Sequence, residues 1–244
     1  MPRFFVPSEN FEQNSVKITG DDAWHIARSL RMAVGESITV CDMHGGVHEC
    51  TLEKITDDEV TARIDCSTDA ENESPVRITL YQALPKGDKM DVIVQKAVEM
   101  GVYSIVPFFS DRCISRPDAK SLEKKCVRWQ RIALEAAKQC GRGIIPEIGK
   151  PLSYEGMLES AAEKSLGCFC YEGDGTRSLK SILDSAENVT DISLIIGSEG
   201  GFSQKEADQA EKSGICMAGL GKRILRCESA SGFALACIAY RYEL

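Results

Sequence analysis

Positive charge is scarce in this sequence, and so is any long apolar run. Lys and Arg number 29 against 37 Asp and Glu in 244 residues, a formal net charge of −8. That balance argues against a protein that coats nucleic acid with its whole surface. No stretch approaches the ~20 consecutive apolar residues of a membrane-spanning helix, so no membrane partner is expected. No secretory signal is evident either, because Met1-Pro2-Arg3 leads straight into a short strand pattern. The 11 cysteines are an odd count. With no leader they read as free thiols in a reducing cytoplasm. Histidine is down to 3. Two of these, His44 and His48, fall close to Cys41 and Cys50, and all four are zinc-ligand types. The segment reads as strand, turn around Gly45-Gly46, strand, which sends alternate side chains to opposite faces, so no metal is expected. Cys168-Phe169-Cys170 reads as core.

Net charge hides its own distribution. Between residues 35 and 75 acidic side chains far outnumber Lys54 and Arg63. Between residues 112 and 142 the balance reverses: Arg112, Arg116, Lys120, Lys124, Lys125, Arg128, Arg131, Lys138 and Arg142 face only Asp118, Glu123 and Glu135. Such a stretch is either a solvated helix face or a basic patch that contacts RNA.

The chain is long enough for one large domain or two modest ones. Residues 1–72 read as a small, mostly β domain. Phe4-Phe5-Val6 and Val16-Lys17-Ile18 are short strands, and residues 37–41, 47–55 and 60–66 alternate apolar and polar as half-buried strands. Asp21-Asp22 can cap a helix with Trp24, Ile26, Ala27 and Leu30 on its apolar stripe and His25, Arg28 and Arg31 elsewhere. Residues 67–75 are short, polar and acidic, and read as a linker. From Val76 onward strands and helices alternate: strands at 77–81, 103–108, 166–171 and 192–196, helices at 89–100, stopped by Gly101, and 122–140. That alternation predicts an α/β domain with a largely parallel sheet. A last helix over 229–240 is small and apolar nearly all round, so it must be buried on more than one side, in its own chain or against a second copy.

Two glycine turns stand out in the second half. The apolar run Leu194-Ile195-Ile196 opens into Gly197-Ser198-Glu199-Gly200-Gly201, and Ser203 with Glu206 forms a capping box that starts a helix just beyond. A buried strand, a glycine loop and a helix N-terminus make a cofactor-site candidate of the open α/β kind. The loop lacks both the GxGxxG pattern and the Gly-Lys-Ser/Thr ending of a phosphate loop. The second turn, Leu220-Gly221-Lys222-Arg223-Ile224-Leu225-Arg226-Cys227-Glu228-Ser229-Ala230, sets arginines and a carboxylate beside an apolar pair. Those residue types suit an anionic substrate held next to an apolar cofactor wall.

Together with Ala83-Leu84-Pro85-Lys86-Gly87-Asp88-Lys89-Met90 and Glu135-Ala136-Ala137-Lys138-Gln139-Cys140-Gly141-Arg142, these two turns form four motifs in register. In that order they resemble the RsmE family, ribosomal RNA uridine-N3 methyltransferases of the SPOUT superfamily, over nearly the whole chain. The resemblance implies an N-terminal PUA-like β-barrel that binds RNA (residues 1–72) and a C-terminal SPOUT α/β domain with a trefoil knot (residues 73–244). It also implies a homodimer built through that second domain. The implied activity is methylation of uridine N3 in small-subunit (16S) ribosomal RNA with S-adenosylmethionine as donor, the assembled small subunit being the expected substrate. A SPOUT methyltransferase acting on another RNA position or atom, or a non-catalytic RNA-binding protein, are the rival readings. By the same resemblance, Ile196, Gly197, Glu199, Gly200, Gly201, Leu220, Gly221, Ile224 and Leu225 hold the donor. RNA contacts fall to Arg3, His25, Arg28, Arg31, Lys86, Gln139 and Arg142. Arg226 is the expected substrate clamp and Glu228 the group that orients it. Glu228 or Glu199 would serve as general base only with a raised pKa; otherwise Arg226 stabilises the uridine anion while solvent takes the proton. Ser198 stands where the family pattern has proline, which should loosen the loop.

Overall fold

The computed structural model describes residues Met1–Leu244, which divide into two compact units. The first comprises Met1–Glu73 and Ala137–Ile145. Its strands are β1 (Arg3–Phe5), β2 (Ser15–Thr19), β3 (Ser37–Cys41), β4 (Gly46–Ile55) and β5 (Glu59–Asp69), and a short helix α1 (Asp21–Trp24) follows β2. They form one sheet in the order β1-β3-β4-β5-β2, with β1 parallel to β3 and the other pairs antiparallel. Alternate residues point into one core: Val16 and Ile18, Ile38 and Val40, Cys50 and Leu52, Val60 and Ala62 are all buried. Register shifts at Glu49/Cys50 and at Leu52/Lys54 bend the long β4–β5 pair, so the sheet curls around that core.

Two details differ from the sequence reading. β5 runs on to Asp69, so the expected linker over 67–75 begins inside a strand; the ladder with β4 extends as far as Gly46↔Asp69 and overrides the polar composition. The apolar stripe on the first helix also divides. Ala23 and Ile26 are fully buried, whereas Trp24 is 56% and Leu30 40% exposed. Trp24 lies two positions before the buried Ile26, about 200° away around the helix and so on its outer side, whereas Leu30 follows a π turn over His25–Ser29. A π turn holds more residues than the 3.6 of an α-helix and shifts every later side chain off the α face.

The second unit comprises Ser74–Ala136 and Pro146–Leu244. Its elements are β6 (Arg77–Ala83), α2 (Lys89–Glu99), β7 (Ser104–Phe108), α3 (Ala119–Cys140), β8 (Glu147–Ile148), α4 (Tyr154–Ala162), β9 (Leu166–Cys170), β10 (Arg177–Ser178), α5 (Leu179–Ser185), β11 (Asp191–Ile196), α6 (Gln204–Lys212), β12 (Cys216–Gly219) and α7 (Cys227–Tyr242). All seven strands are parallel, in the order β10-β12-β9-β11-β6-β7-β8. The central strands β6 and β11 are buried almost throughout, as expected of a parallel sheet covered on both faces. α7 packs against α2, α5 and β11 through one face, with Ser231, Ala234, Leu235 and Ile238 buried. Its other face leaves Phe233 42% and Tyr240 74% exposed. On α3, Trp129 is buried and donates from Nε1 to Asp91 at 3.1 Å, and Arg128 pairs with the same carboxylate. Lys120, Lys124 and Arg131 stay exposed, so much of the basic stretch is an open helix face.

Candidate active site

Three neighbouring parallel strands, β12, β9 and β11, end at the same edge of the sheet. Ligands of open α/β sheets bind at such carboxyl ends. The loops that follow the three strands enclose a cavity of about 740 Å³, lined by residues 170–173, 196–202, 220–227 and Ala230, with Lys89 and Arg112 at its rim.

The loop after β11 is held from several sides. Gly201 N–H donates to the Ser198 carbonyl at 2.9 Å, closing a tight turn, and Gly201 takes a left-handed φ of +61°. A Cβ on Gly197 would lie 3.1 Å from Gly201 Cα and 3.2 Å from the Phe202 ring, so only glycine lets the two arms approach. Phe202 leaves the loop into the core, its centroid 4.1 Å from that of Phe169. The capping box of Ser203 and Glu206 is present, and the Glu206 carboxylate also accepts from Asp111 N–H at 2.8 Å. From beneath, the buried Gln82 donates from Nε2 to the Gly197 carbonyl at 3.1 Å. Ser198, in the position expected to be proline, is buried and donates from Oγ to the Arg112 carbonyl at 3.5 Å. Arg112 returns a bond from Nη1 to the Gly200 carbonyl at 3.0 Å. These contacts tie Ser198 and Gly200 to Arg112.

The charges at the rim are ordered by Lys89. Its Nζ donates to Glu199 Oε1 at 2.7 Å, and the same carboxylate accepts from Lys86 N–H at 3.1 Å. Burial pushes the Glu199 carboxyl up, but the Lys89 ammonium and the nearby N–H groups outweigh it, leaving its pKa below the ordinary value. Glu228 stands in the first turn of α7, where its own N–H is the main influence and lowers its pKa; burial opposes this, and the Cys227 thiol, donating at 3.2 Å, adds to the lowering. Burial and the neighbouring Glu228 push the Cys227 thiol up to about 12. Both carboxylates are therefore ionised at neutral pH, and neither has the raised pKa a general base requires.

All nine cofactor-binding candidates, Ile196, Gly197, Glu199, Gly200, Gly201, Leu220, Gly221, Ile224 and Leu225, line this one cavity, as does Arg226. Glu228 lies just behind the wall, bonded to Cys227. The third wall, Cys170 to Gly173 after β9, was not among the candidates, nor were Lys89 and Arg112. The one sequence signal for that wall was a Tyr-Glu-Gly-Asp-Gly turn directly after an apolar strand. The RNA-contact candidates divide. His25, Arg28, Arg31, Lys86 and Gln139 are exposed, and Arg28 is engaged with Asp57 at 2.8 Å. Arg3 is half-buried and donates to the Arg142 carbonyl at 3.1 Å. Arg142 itself is only 3% exposed and is paired with Glu73, so its guanidinium serves the packing of the first unit instead of an open phosphate site.

A glycine-lined cavity at the ends of adjacent parallel strands, walled by apolar side chains and rimmed by Lys89, Arg112 and Arg226, defines an α/β enzyme that holds an organic cofactor beside an anionic substrate. The RNA methyltransferase domain family matches residues 72–239, and the RNA methyltransferase PUA domain family matches residues 18–65. Ribosomal RNA small subunit methyltransferase E of Bacillus subtilis is 30% identical, covering 100% of this chain and 98% of its own. The protein of the same name from Mesomycoplasma hyopneumoniae is 34% identical over 98% of this chain and 99% of its own. A crystal structure of the Neisseria gonorrhoeae ribosomal RNA small subunit methyltransferase E bound to S-adenosylmethionine superposes with a TM-score of 0.87 at 32% identity, covering 99% of this chain and 98% of that one. This chain belongs to the ribosomal RNA small subunit methyltransferase E family.

Proposed function

We propose that this protein transfers a methyl group from S-adenosylmethionine to N3 of a uridine in 16S ribosomal RNA. The observation that carries the reading is the cavity between the two glycine turns with Arg226 on its wall. The residues present fit the cofactor. A Cβ built on Gly201 or Gly221 meets nothing within 4 Å, so both turns offer bare backbone to open space. Ile196, Leu220 and Leu225 supply apolar faces for a planar base, and the backbone N–H and C=O groups of the second turn suit its edges. When bound, S-adenosylmethionine supplies an electrophilic methyl group on sulfur. Arg226 meets the uracil ring and favours its N3 anion; Glu199 and Lys89 hold the first glycine turn to the start of α2; Gln82 fixes that turn from below. Holding two substrates in one orientation accounts for much of the rate in a displacement of this kind.

Gly221 has a φ of +103°, a conformation in which side chains are strained. Gly221→Val forces the turn to strain or reshape, at a cost of about 1–2 kcal/mol, so the free protein should melt a few degrees lower and S-adenosylmethionine should bind about tenfold more weakly. Calorimetric titration checks it. The pH profile separates the two routes of proton removal. Because Glu199 and Glu228 both have lowered pKa values, they are already ionised above pH 5 and add no inflection there. The rate should instead rise steadily from pH 6 to 8.5 as the uridine imide ionises. A plateau beginning near pH 6 would assign the proton to a carboxylate with a raised pKa.

Further parts of this reading rest on the same footing. Residues 1–72 form a PUA-like barrel that anchors RNA, through His25, Arg28, Arg31 and Arg3, while residues 73–244 are a knotted SPOUT domain, with Lys86 and Gln139 as further RNA contacts. The strand row supports the knot: the chain goes from β9 to β10 at the edge, to β11 on the far side of β9, then back to β12 between β9 and β10. The exposed Phe233 and Tyr240 on α7 support a homodimer. The assembled small subunit is the substrate, because an acidic protein with limited basic surface gains from a structured target, and the enzyme works in the cytoplasm. Labelled S-adenosylmethionine with small subunits from cells lacking the gene tests the whole. Label in N3-methyluridine is the expected result, and label in any other nucleoside overturns the substrate.

A further inference from the structure

Among the Phe, Tyr and Trp side chains of the first unit, Trp24 alone is exposed, at 56%. An indole left open is costly to keep in water and has a face that stacks on any nucleobase. The sequence around Trp24 mixes charges of both signs. His25, Arg28 and Arg31 follow it at the next, fourth and seventh positions, and all three are exposed. Arg31 joins no ion pair, while Arg28 lies flat against Asp57 through two bonds of 2.8 and 2.5 Å. Of the acids on α1, Asp22 is paired with Lys138 at 3.0 Å and Asp21 is exposed at the helix start.

The backbone that carries these groups is unusual in two independent ways. Leu30 N–H bonds to the His25 carbonyl at 2.9 Å and Met32 N–H to the Ile26 carbonyl at 3.1 Å, closing the π turn. Arg31 then takes a left-handed φ of +53°. π turns and left-handed residues other than glycine persist where surrounding structure over-determines them, and both concentrate at ligand sites. Here the core residues Ile26 and Met32 anchor the turn from within, while Trp24, His25 and Arg31 stay exposed.

We propose that Trp24 is a stacking platform for one unpaired base of ribosomal RNA, with Arg31 and His25 meeting the phosphates that flank it. This rests on the ribosomal RNA methyltransferase reading above. Sequence-tolerant recognition of single-stranded RNA combines an aromatic face with flanking positive charge. Leu30 (40%) and Val34 (63%) are exposed in the same stretch, and it is the unpaired Arg31 beside them in sequence that favours a base over an apolar protein partner. Because methyl transfer is assigned to the second unit, Trp24 is an anchoring residue: it should govern KM for RNA and leave kcat alone.

The test is fluorescence titration of the full-length protein with a single-stranded uridine-rich oligoribonucleotide of about ten nucleotides. The other tryptophan, Trp129, is 2% exposed, so a change on binding reports Trp24. Quenching is expected in the wild-type protein. Trp24→Leu should weaken oligonucleotide binding and raise KM for small subunits about tenfold, with kcat at saturating subunits unchanged, and Trp24→Tyr should stay within about twofold of wild type, since a phenol still stacks. Trp24→Leu binding as tightly as wild type, or Trp24→Tyr losing as much as Trp24→Leu, overturns the stacking role in an enzyme that still methylates. Wild-type protein that transfers no methyl group and binds no oligonucleotide overturns the proposal together with the function it rests on.

Discussion

Arg226→Ala should slow single-turnover methyl transfer by about 10²–10³-fold, the loss typical of removing one preorganised donor at a developing negative charge. The main chain at Arg226 is fixed, since its carbonyl accepts from Ser229 N–H at 2.9 Å and Ala230 N–H at 2.8 Å as the N-cap of α7. Its side chain lines the cavity and is bound by no ion pair, while Glu228, its expected orienting partner, accepts from Cys227 and feels the Arg226 charge, which helps lower its pKa. A uracil N3 anion spreads its charge onto the two flanking carbonyl oxygens, and a planar guanidinium can bridge N3 and one of them. The N-terminal end of α7 adds positive potential in the same place. Removing the cation raises the substrate's imide pKa, so the rising pH–rate curve should move to higher pH in the variant. Arg226→Lys keeps the charge but loses the fork, and should recover only part of the rate. S-adenosylmethionine affinity, measured separately, should change little. Wild-type rates in Arg226→Ala would remove the arginine from the chemistry and leave N3 activation to the glycine-turn backbone.

The first glycine turn was legible because it follows an apolar strand, and the second from its own glycine, arginines and apolar pair; Gly201 and Gly221 both take positive φ, which leaves a mark on local sequence. The structure adds why they converge: β11 and β12 flank β9 in the sheet, so residues far apart in sequence reach one cavity. Strand order is a tertiary property with no local signature, so the wall at Cys170 to Gly173 stayed hidden behind a strand that read only as core. Leu30 was misplaced for a related reason. A periodicity argument assumes 3.6 residues per turn, and the π turn at His25–Ser29 breaks that assumption within one short helix. The ionisation of Glu199 was equally out of reach, since Lys89, which decides it, lies 110 residues away. Hydrophobic pattern thus located the longer elements but not β8, β10, β12, α4 or α5, and neighbours distant in sequence decided what each polar group does.

The same point carries the second large effect. Glu73→Ala is expected to destabilise the first unit by about 3 kcal/mol, the lower end of the range for removing one partner of a buried ion pair. Arg142 Nε donates to Glu73 Oε2 at 3.1 Å, and its side chain is 4% exposed against 20% for Glu73. The carboxylate also accepts from Gly143 N–H at 2.9 Å and Ile144 N–H at 3.3 Å. One side chain therefore ties the segment Ala137–Ile145 into the unit that the curled sheet builds. Alanine at 73 leaves the guanidinium without that counter-charge and two N–H groups without their acceptor, each a further cost when water cannot reach them. Glu73→Gln keeps the shape and one acceptor oxygen, so its loss should be smaller. Urea unfolding followed by a probe in the first unit checks the order: wild type most stable, then Gln, then Ala. If Glu73→Ala unfolds with wild type, the segment is held by packing alone. Arg142 would then be released from this structural role and become available again as an RNA contact, which Arg142→Met, tested for small-subunit KM, would decide.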